Sequence, residues 1–461
     1  MEENKMSDKK SKDLITTGPP SGGLFSPQQE NLIKPLTTED MTQDYLRCIQ
    51  CGYCRDVCRV FNVTFRETDY AGGRNRILKS LNKKEIPFDP ETIQDVVYRC
   101  MLCGNCAEVC PVGIDTVHVF RNFRVRAVNG GAMPEKLKKV RDSVVEFANP
   151  FMEEGTKRHD WCKGNACDEG YVAWERGVGL YRKIKSGELK PDEVSPNLVA
   201  YFIGCTSAFR NNELSSATCR VLDAMGADFI VIPEEKCCGS VLFRTGVDDV
   251  ATELMKYNID LIRKAGIKEV IFSCAGCFST FSNEYQEYTH HNLGFKLSHV
   301  TQFIPRFAKE HGLYFKYKLR SKEDPLKITY HDPCHLARYC DVYEEPRDLI
   351  SMIEGISLSE MQYNKKMSHC CGAGGGVRAL YGDEATSIAD SRLDETVECW
   401  DEINEDRLLE AVETKAESLV SACVFCKNNL SNAASQFKPD LPVQDILQIL
   451  ENCDVKRKDE K

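Results

Sequence analysis

Twice in this chain two cysteines stand side by side before a glycine, in "EEKCCGSVLF" (234–243) and in "SHCCGAGGGV" (368–377). Adjacent cysteines are poor disulfide partners, because closing the bridge strains the peptide between them. The surrounding cysteines are ordered alike. Cys205 is followed after 31 residues by Cys237–Cys238, and after 35 more by Cys274 and Cys277; Cys334 is followed after 35 residues by Cys370–Cys371, and after 51 more by Cys423 and Cys426. Each set offers five thiolates, whereas zinc closes its shell with four and a cubane takes one per iron. Five sulfurs, two of them adjacent, fit a larger or more open cluster in which irons are bridged. The competing reading makes 274/277 and 423/426 thiol redox pairs, which leaves Cys205, Cys237 and Cys238 without a role.

The front of the chain carries a second kind of cysteine pattern. "CIQCGYCRDVC" places Cys48, Cys51, Cys54 and Cys58 in C-x2-C-x2-C-x3-C spacing, and "CMLCGNCAEVCP" repeats it with Cys100, Cys103, Cys106 and Cys110. This spacing wraps three thiolates round one cubane 4Fe–4S cluster and sends the fourth to its neighbour. The expected sets are therefore Cys48, Cys51, Cys54 and Cys110 on one cluster, and Cys100, Cys103, Cys106 and Cys58 on the other. Paired zinc knots are the alternative, with a spacing that suits them less well. Pro111 follows the last cysteine of the second motif but Arg59 follows that of the first, so a positive charge is expected to raise one potential above the other.

These cysteines sit in two textures. "GGRNRILKSL", "DPETIQDVVYRC", "VHVFRNFRVRAV" and "PEKLKKVRDSVVEFA" read as helices, the second with start residues at its head. From about residue 196, short β-branched and aromatic runs alternate with helical patterns: "NLVAYFIGC", "ADFIVIPEEKCC", "KEVIFSCAGC", "LKITYHDPCH" and "AESLVSACVFC". Such runs read as buried parallel strands, with the cysteines at the carboxyl edge where α/β sheets build their sites. The expectation is an α+β multidomain protein: a helical dicluster ferredoxin-type domain followed by two duplicated α/β units, each carrying a CCG turn. The boundaries fall at a disordered tail (1–40), the dicluster domain (41–150), a linker (151–195), the first unit (196–320), the second unit (321–450) and a polar tail (451–461). The acidic "ECWDEINEDRLLEA" reads as a surface insertion in the second unit.

Composition narrows the setting. The 461 residues include 24 cysteines and carry a net charge near −10. No apolar leader opens the chain and no run is long enough to span a bilayer, so a cytoplasmic, reducing compartment is expected, with any membrane attachment made through a partner. The acidic balance argues against nucleic acid as a partner. Cys162, Cys167, Cys219, Cys340, Cys399 and Cys453 lie outside both patterns and read as ordinary thiols.

Over roughly residues 42–450, "CCGS", "CAGC", "YHDPCHLAR", "CCGAGGG" and "CVFCKNNL" behind two ferredoxin-type motifs resemble the family of heterodisulfide reductase D-type catalytic subunits. That wider family includes iron–sulfur subunits of glycolate, lactate and glycerol-3-phosphate dehydrogenases. The resemblance implies two noncubane 4Fe–4S clusters, one per CCG unit, and a mixed disulfide of coenzyme M and coenzyme B bound between them. Cys237, Cys238, Cys370 and Cys371 would then surround a shared catalytic cleft walled by the glycine-rich turn 372–376. Each cluster would deliver one electron, with the cubanes as the wire from a donor. His331 and His335 are candidates to protonate a product thiolate or to hydrogen-bond cluster sulfur. Arg244, Arg338, Arg378 and Lys427 are candidates to grip a small anionic disulfide, or else solvated charges. A membrane cytochrome b subunit is the partner this reading implies. A flavoprotein dehydrogenase is the partner if the chain is instead an electron-transfer subunit with no small substrate of its own. The "GAGGG" run lacks the Lys-Ser/Thr ending of a phosphate loop, and its glycines are expected to let backbone approach a cluster.

Overall fold

In a computed structural model, residues 44–87, 89–159, 169–397 and 415–457 are described. The expected tail 1–40, Cys162, Cys167, Cys399 and the whole of the acidic insertion fall outside them.

All four helices expected in the dicluster region form, as Ala71–Asn82, Pro90–Tyr98, Thr116–Asn129 and Glu135–Phe147. Two start as the sequence dictates. Asp89 accepts the Thr92 amide at 2.8 Å and Asp115 that of His118 at 3.0 Å, satisfying amides that have no partner inside the helix. Their inward faces bury Ile93, Tyr98, Phe120 and Leu137 in a core that continues into the α/β region.

Four strands form the first sheet: β1 (Val199–Phe202), β2 (Phe229–Val231), β3 (Glu269–Phe272) and β4 (Lys296–His299). They are all parallel, in the order β2-β1-β3-β4, with Val199 opposite both Phe229 and Glu269. After β5 (Leu313–Tyr317) come β6 (Leu326–His331), β7 (Ile353–Glu354), β8 (Ile356–Leu358), β9 (Ser418–Ser421) and β10 (Val443–Asp445). The second sheet, β8-β6-β9-β10, is again all parallel. Counted within each unit, the strand order is second-first-third-fourth in both. The duplication inferred from cysteine spacing is thus a duplication of topology.

A third sheet joins the halves. β5 closes the first unit and pairs antiparallel with β11 (Cys453–Arg457), with Phe315 opposite Val455; β7 adds to its other side in parallel. Equivalent strands paired antiparallel are what a pseudo-twofold axis between the units requires. Residues 453–457, expected within a polar tail, are therefore a strand of the fold. Their alternation "CDVKR" has too little apolar character to read as one without its partner. The expected linker also holds structure. Helix Glu169–Lys185 buries Ala173, Trp174 and Val178 and lays Gly177 against Phe229 of β2, making it part of the first unit.

Candidate metal centres

The front motifs place their sulfurs as the spacing predicts. One cavity is lined by Cys48, Cys51, Cys54 and Cys110, together with Cys106. A second is lined by Cys58, Cys100, Cys103 and Cys106. Each motif thus sends its last cysteine to the other's cavity. The loops are built alike, with Gln50 and Leu102 held at φ +57° and +51°, and the Leu102 amide directed at Cys100 Sγ at 3.4 Å. Burial pushes the Cys54 and Cys58 thiols up to about 11, so deprotonation in these cavities calls for a cation that the side chains do not fully provide.

In the first α/β unit the sulfurs form a contact chain in the order Cys205, Cys237, Cys238, Cys277, Cys274. The second unit repeats it as Cys334, Cys370, Cys371, Cys426, Cys423. The turns match as well. Gly239 and Gly372, at φ +80° and +86°, direct their amides at Cys237 Sγ (3.5 Å) and Cys370 Sγ (3.4 Å). All of these cysteines are buried except Cys334, which is half-buried. The thiol of Cys237, then that of Cys277, holds Cys238 down to about 6; Cys370 and then Cys426 lower Cys371. Five crowded sulfurs in an apolar pocket cannot all become thiolates without positive charge among them. A polynuclear iron core held by these five residues would supply that charge, and the donor set fits one.

The two kinds of centre touch. Cys103 of the front motifs contacts Cys370, whose thiol holds it down to about 6. Around this joint, Arg338 Nε donates to Cys103 O at 2.8 Å and the Tyr339 hydroxyl donates to Leu102 O. Arg124, fully buried, donates to Val97 O and Cys100 O in the front domain, to Arg244 O in the first unit and to Gly375 O in the second. The glycine run after Cys371 also acts here. A Cβ at Gly374 would lie 2.7 Å from Met101 O and one at Gly375 would lie 2.5 Å from Cys100 O. These glycines let the turn nest against the backbone of the front motif, where the sequence suggested approach to a cluster. The two units meet through helices Ala275–Thr280 and Cys334–Cys340, with a Cβ on Gly276 placed 3.5 Å from His335 Nδ1.

The histidines are both buried. His331 Nδ1 accepts from Arg392 Nε at 3.2 Å, which leaves the ring proton on the buried Nε2, and the ring lies beside Cys371 and Cys426. Burial lowers the pKa of His331 and brings that of His335 down to about 3, so both rings are neutral. The four candidate cations do not converge. Arg244 and Arg338 line one cleft with Arg121 and Tyr339, yet Arg244 is paired with buried Glu284, and Arg338 serves the carbonyls of Cys103, Lys366 and Ser368. Arg378 is exposed and bonds Asn429; Lys427 pairs with Glu213 of the first unit at 3.3 Å. Arg59, expected to act on a cluster as bare charge, bonds Ser391 and lies 3.4 Å from Glu395 of the second unit, so its charge is largely met.

Several functional neighbours were not read from the sequence. Arg158 pairs with Glu235 at 2.8 Å and reaches Cys205 Sγ at 3.5 Å; burial lifts Glu235 to about 7 even against that arginine. In the second unit Arg392 bonds Glu395, which accepts from His369 at 2.7 Å. Glu235 and His369 lie within two residues of the CC pairs and were visible on that ground. Arg158 and Arg392 are distant in sequence and gave no signal.

Residues 44–114 match the family of 4Fe-4S dicluster domains, and residues 199–282 and 328–431 each match that of the cysteine-rich domain. The B subunit of the fumarate reductase (CoM/CoB) of Methanothermobacter marburgensis is 26% identical, over 93% of this chain and 77% of its own length. The EtfAB:quinone oxidoreductase of Syntrophomonas wolfei is 26% identical over 79% of this chain and 48% of its own. These matches make the chain an iron–sulfur oxidoreductase with 4Fe–4S centres. The D subunit of the dihydromethanophenazine:CoB–CoM heterodisulfide reductase of Methanosarcina barkeri is 33% identical over 87% of this chain and 92% of its own, and the chain belongs to the family of that protein.

Proposed function

We propose that this protein reduces a small anionic mixed disulfide, of the coenzyme M–coenzyme B class, to two thiols. The observation that carries the reading is the contact of Cys103 with Cys370, which joins the front sulfur sets to a pair of five-sulfur sets. Cys48, Cys51, Cys54 and Cys110 would hold one cubane and Cys58, Cys100, Cys103 and Cys106 the other. Cys205, Cys237, Cys238, Cys274 and Cys277, and their counterparts Cys334, Cys370, Cys371, Cys423 and Cys426, would hold the two noncubane clusters. Bound there, such clusters would supply electrons one at a time, and cleaving a disulfide takes two electrons and two protons. The chain itself supplies a candidate proton donor: Arg392 fixes the His331 tautomer, leaving a buried Nε2–H on a ring that lies beside Cys371. His335, between the units, keeps a neutral ring beside the same region. The first unit has Phe202 at the position of His331, so proton delivery is one-sided.

A second reading, an electron-transfer subunit serving a flavoprotein partner, is favoured by one observation. Arg244 and Arg338, the best-placed anion grips, are already engaged by Glu284 and by backbone carbonyls. One preparation separates the readings. Anaerobically purified protein should hold about 16 irons per chain, four per cluster. With dithionite as reductant it should turn over the coenzyme M–coenzyme B disulfide. Full iron content without disulfide turnover would leave the relay as the function.

A further inference from the structure

The end of the sulfur chain remote from the α/β units reaches the surface. Among the described cysteines Cys51 alone is exposed. The same face carries large apolar side chains in water: Ile49 is 62% exposed, Tyr53 59% and Phe65 77%. They surround one site, since Ile49 and Tyr53 line the cavity of Cys48, Cys51 and Cys54, while Arg55 lies over Phe61, whose ring contacts Phe65. Exposed apolar groups gathered at one place, with a polar rim, mark an interaction surface.

The rim has a sign. Residues 44–87 carry nine Lys and Arg against five Asp and Glu in a chain whose net charge is −10; Arg59 and Arg74 are turned inward and Arg55 pairs with Glu67 at 3.4 Å, so the positive sign of the rim is set chiefly by Arg76 and Lys79. Arg76 directs its hydrogen bond to Gln50 Oε1 (2.5 Å) and Lys79 to Cys48 O (3.0 Å), so neither charge is cancelled by a carboxylate there. Positive charge beside the exposed end of a redox chain complements an acidic partner and steers its approach.

We propose that this face is the docking surface for the electron donor, and that the donor is a one-electron carrier protein presenting an acidic rim round an apolar centre. The inference rests on the redox role proposed above and adds the entry face and the partner's charge. Contacts of this kind are small and transient, so binding is weak and salt-sensitive.

The test uses the full-length holoprotein and a plant-type acidic ferredoxin, with gallium in place of iron so that binding is measured without turnover. Expected is micromolar binding that weakens about tenfold or more between 0.05 and 0.5 M salt. The Arg76→Glu variant and Phe65→Asp should each weaken it by about tenfold with iron content unchanged, whereas Lys309→Glu, on the first α/β unit, should not. Binding that ignores salt and all three variants overturns the proposal. So does binding that strengthens on deletion of residues 1–43, which would make the chain's own front segment the occupant. Dithionite-driven disulfide reduction reports the catalytic reading separately, because it needs no docked protein.

Discussion

The two α/β units share a strand order and a sulfur order, and differ in what surrounds the sulfurs. In the first, Cys205 faces a buried arginine–carboxylate pair, Arg158 with Glu235. In the second, Cys371 faces a histidine held by Arg392, and Cys370 touches Cys103 of the front domain. The difference teaches that duplication kept the ligand scaffold while the flanking residues divided the labour. One unit touches the front sulfur set and holds a histidine beside its sulfurs; the other holds a buried salt bridge in their place. The largest expected effect tests whether both halves still work together. Cys238→Ala and Cys371→Ala should each reduce disulfide turnover by about a thousandfold or more, and the double variant should be no worse, since residues acting as a unit are non-additive. Steady-state assays with spectroscopic identification of the lost cluster decide it. Additive losses would mean that each half works alone.

The buried charge pairs sharpen the contrast next. Removing one partner of a buried ion pair costs about 3–5 kcal/mol, because the other is left charged in an apolar site. Arg158→Met should fall towards the lower end of that range, because Glu235, lifted to about 7 even beside the arginine, relieves part of the cost by taking up a proton. The counterpart Arg392→Met should cost less, because Glu395 keeps His369 and lies near Arg59. Urea unfolding of the holoproteins measures both. Adding Glu235→Gln to Arg158→Met should recover most of the loss, and failure to do so would place the cost in packing rather than charge.

The glycine run offers a third comparison. Aligned on the CC pairs, Gly374 and Gly375 of the second unit correspond to Val241 and Leu242 of the first. In the first unit the same positions carry side chains, and the front domain packs there through helix Thr116–Asn129 against helix Ser240–Thr245. Gly375→Ala should destabilise by about 3 kcal/mol, combining a left-handed φ of +62° with a Cβ driven into Cys100 O. Slower reduction of the second unit's cluster than of the cubanes should accompany it in rapid-mixing spectra. An unperturbed joint would show that the turn has slack.

How much of this was legible follows from which forces leave a local trace. Cysteine spacing gave the sulfur sets and their doubling, since metal ligation fixes residue type and interval. β1, β2, β3, β6 and β9 announced themselves as apolar runs; four are central in their sheets, and β2, though at an edge, has all three residues buried. β4, β8 and β10, with "KLSH", "ISL" and "VQD", did not; they lie at sheet edges or in shorter pairings, and their apolar content is supplied by neighbours. The joint between domains was the least visible. Arg124 looks like any helical arginine until the four carbonyls from three parts of the chain surround it. The anion-gripping roles given to Arg244 and Arg338 rested on proximity in sequence to cysteines, and proximity does not reveal Glu284 or a set of carbonyls.

The smallest expected effect concerns two equivalent caps with opposite responses to acid. His299 and Asp445 each open the helix after their unit's fourth strand, and each forms a capping box with a glutamine, Gln302 or Gln448. His299 Nδ1 accepts the Thr301 amide at 3.3 Å, and burial brings its pKa down from 6.5 to about 3. The unfolded chain therefore takes up a proton first, and this cap's contribution is present above pH 6.5 and is lost as pH falls towards 3. Asp445 accepts the Leu447 amide at 3.0 Å, and burial lifts its pKa from 3.8 to about 7. Its contribution is present below pH 3.8 and is lost as pH rises through 7, because the unfolded carboxyl ionises while the folded one still holds its proton. Asparagine caps a helix without titrating. His299→Asn should flatten the fall in stability between pH 6.5 and 5, and Asp445→Asn should add stability that grows from pH 5 to 7, each by about 1–2 kcal/mol. Hydrogen exchange of helices Val300–Glu310 and Ile446–Leu450 in the holoprotein reads the two ends separately. Parallel pH slopes in the two variants would mean that the caps are alike after all, and that burial does not set their charge.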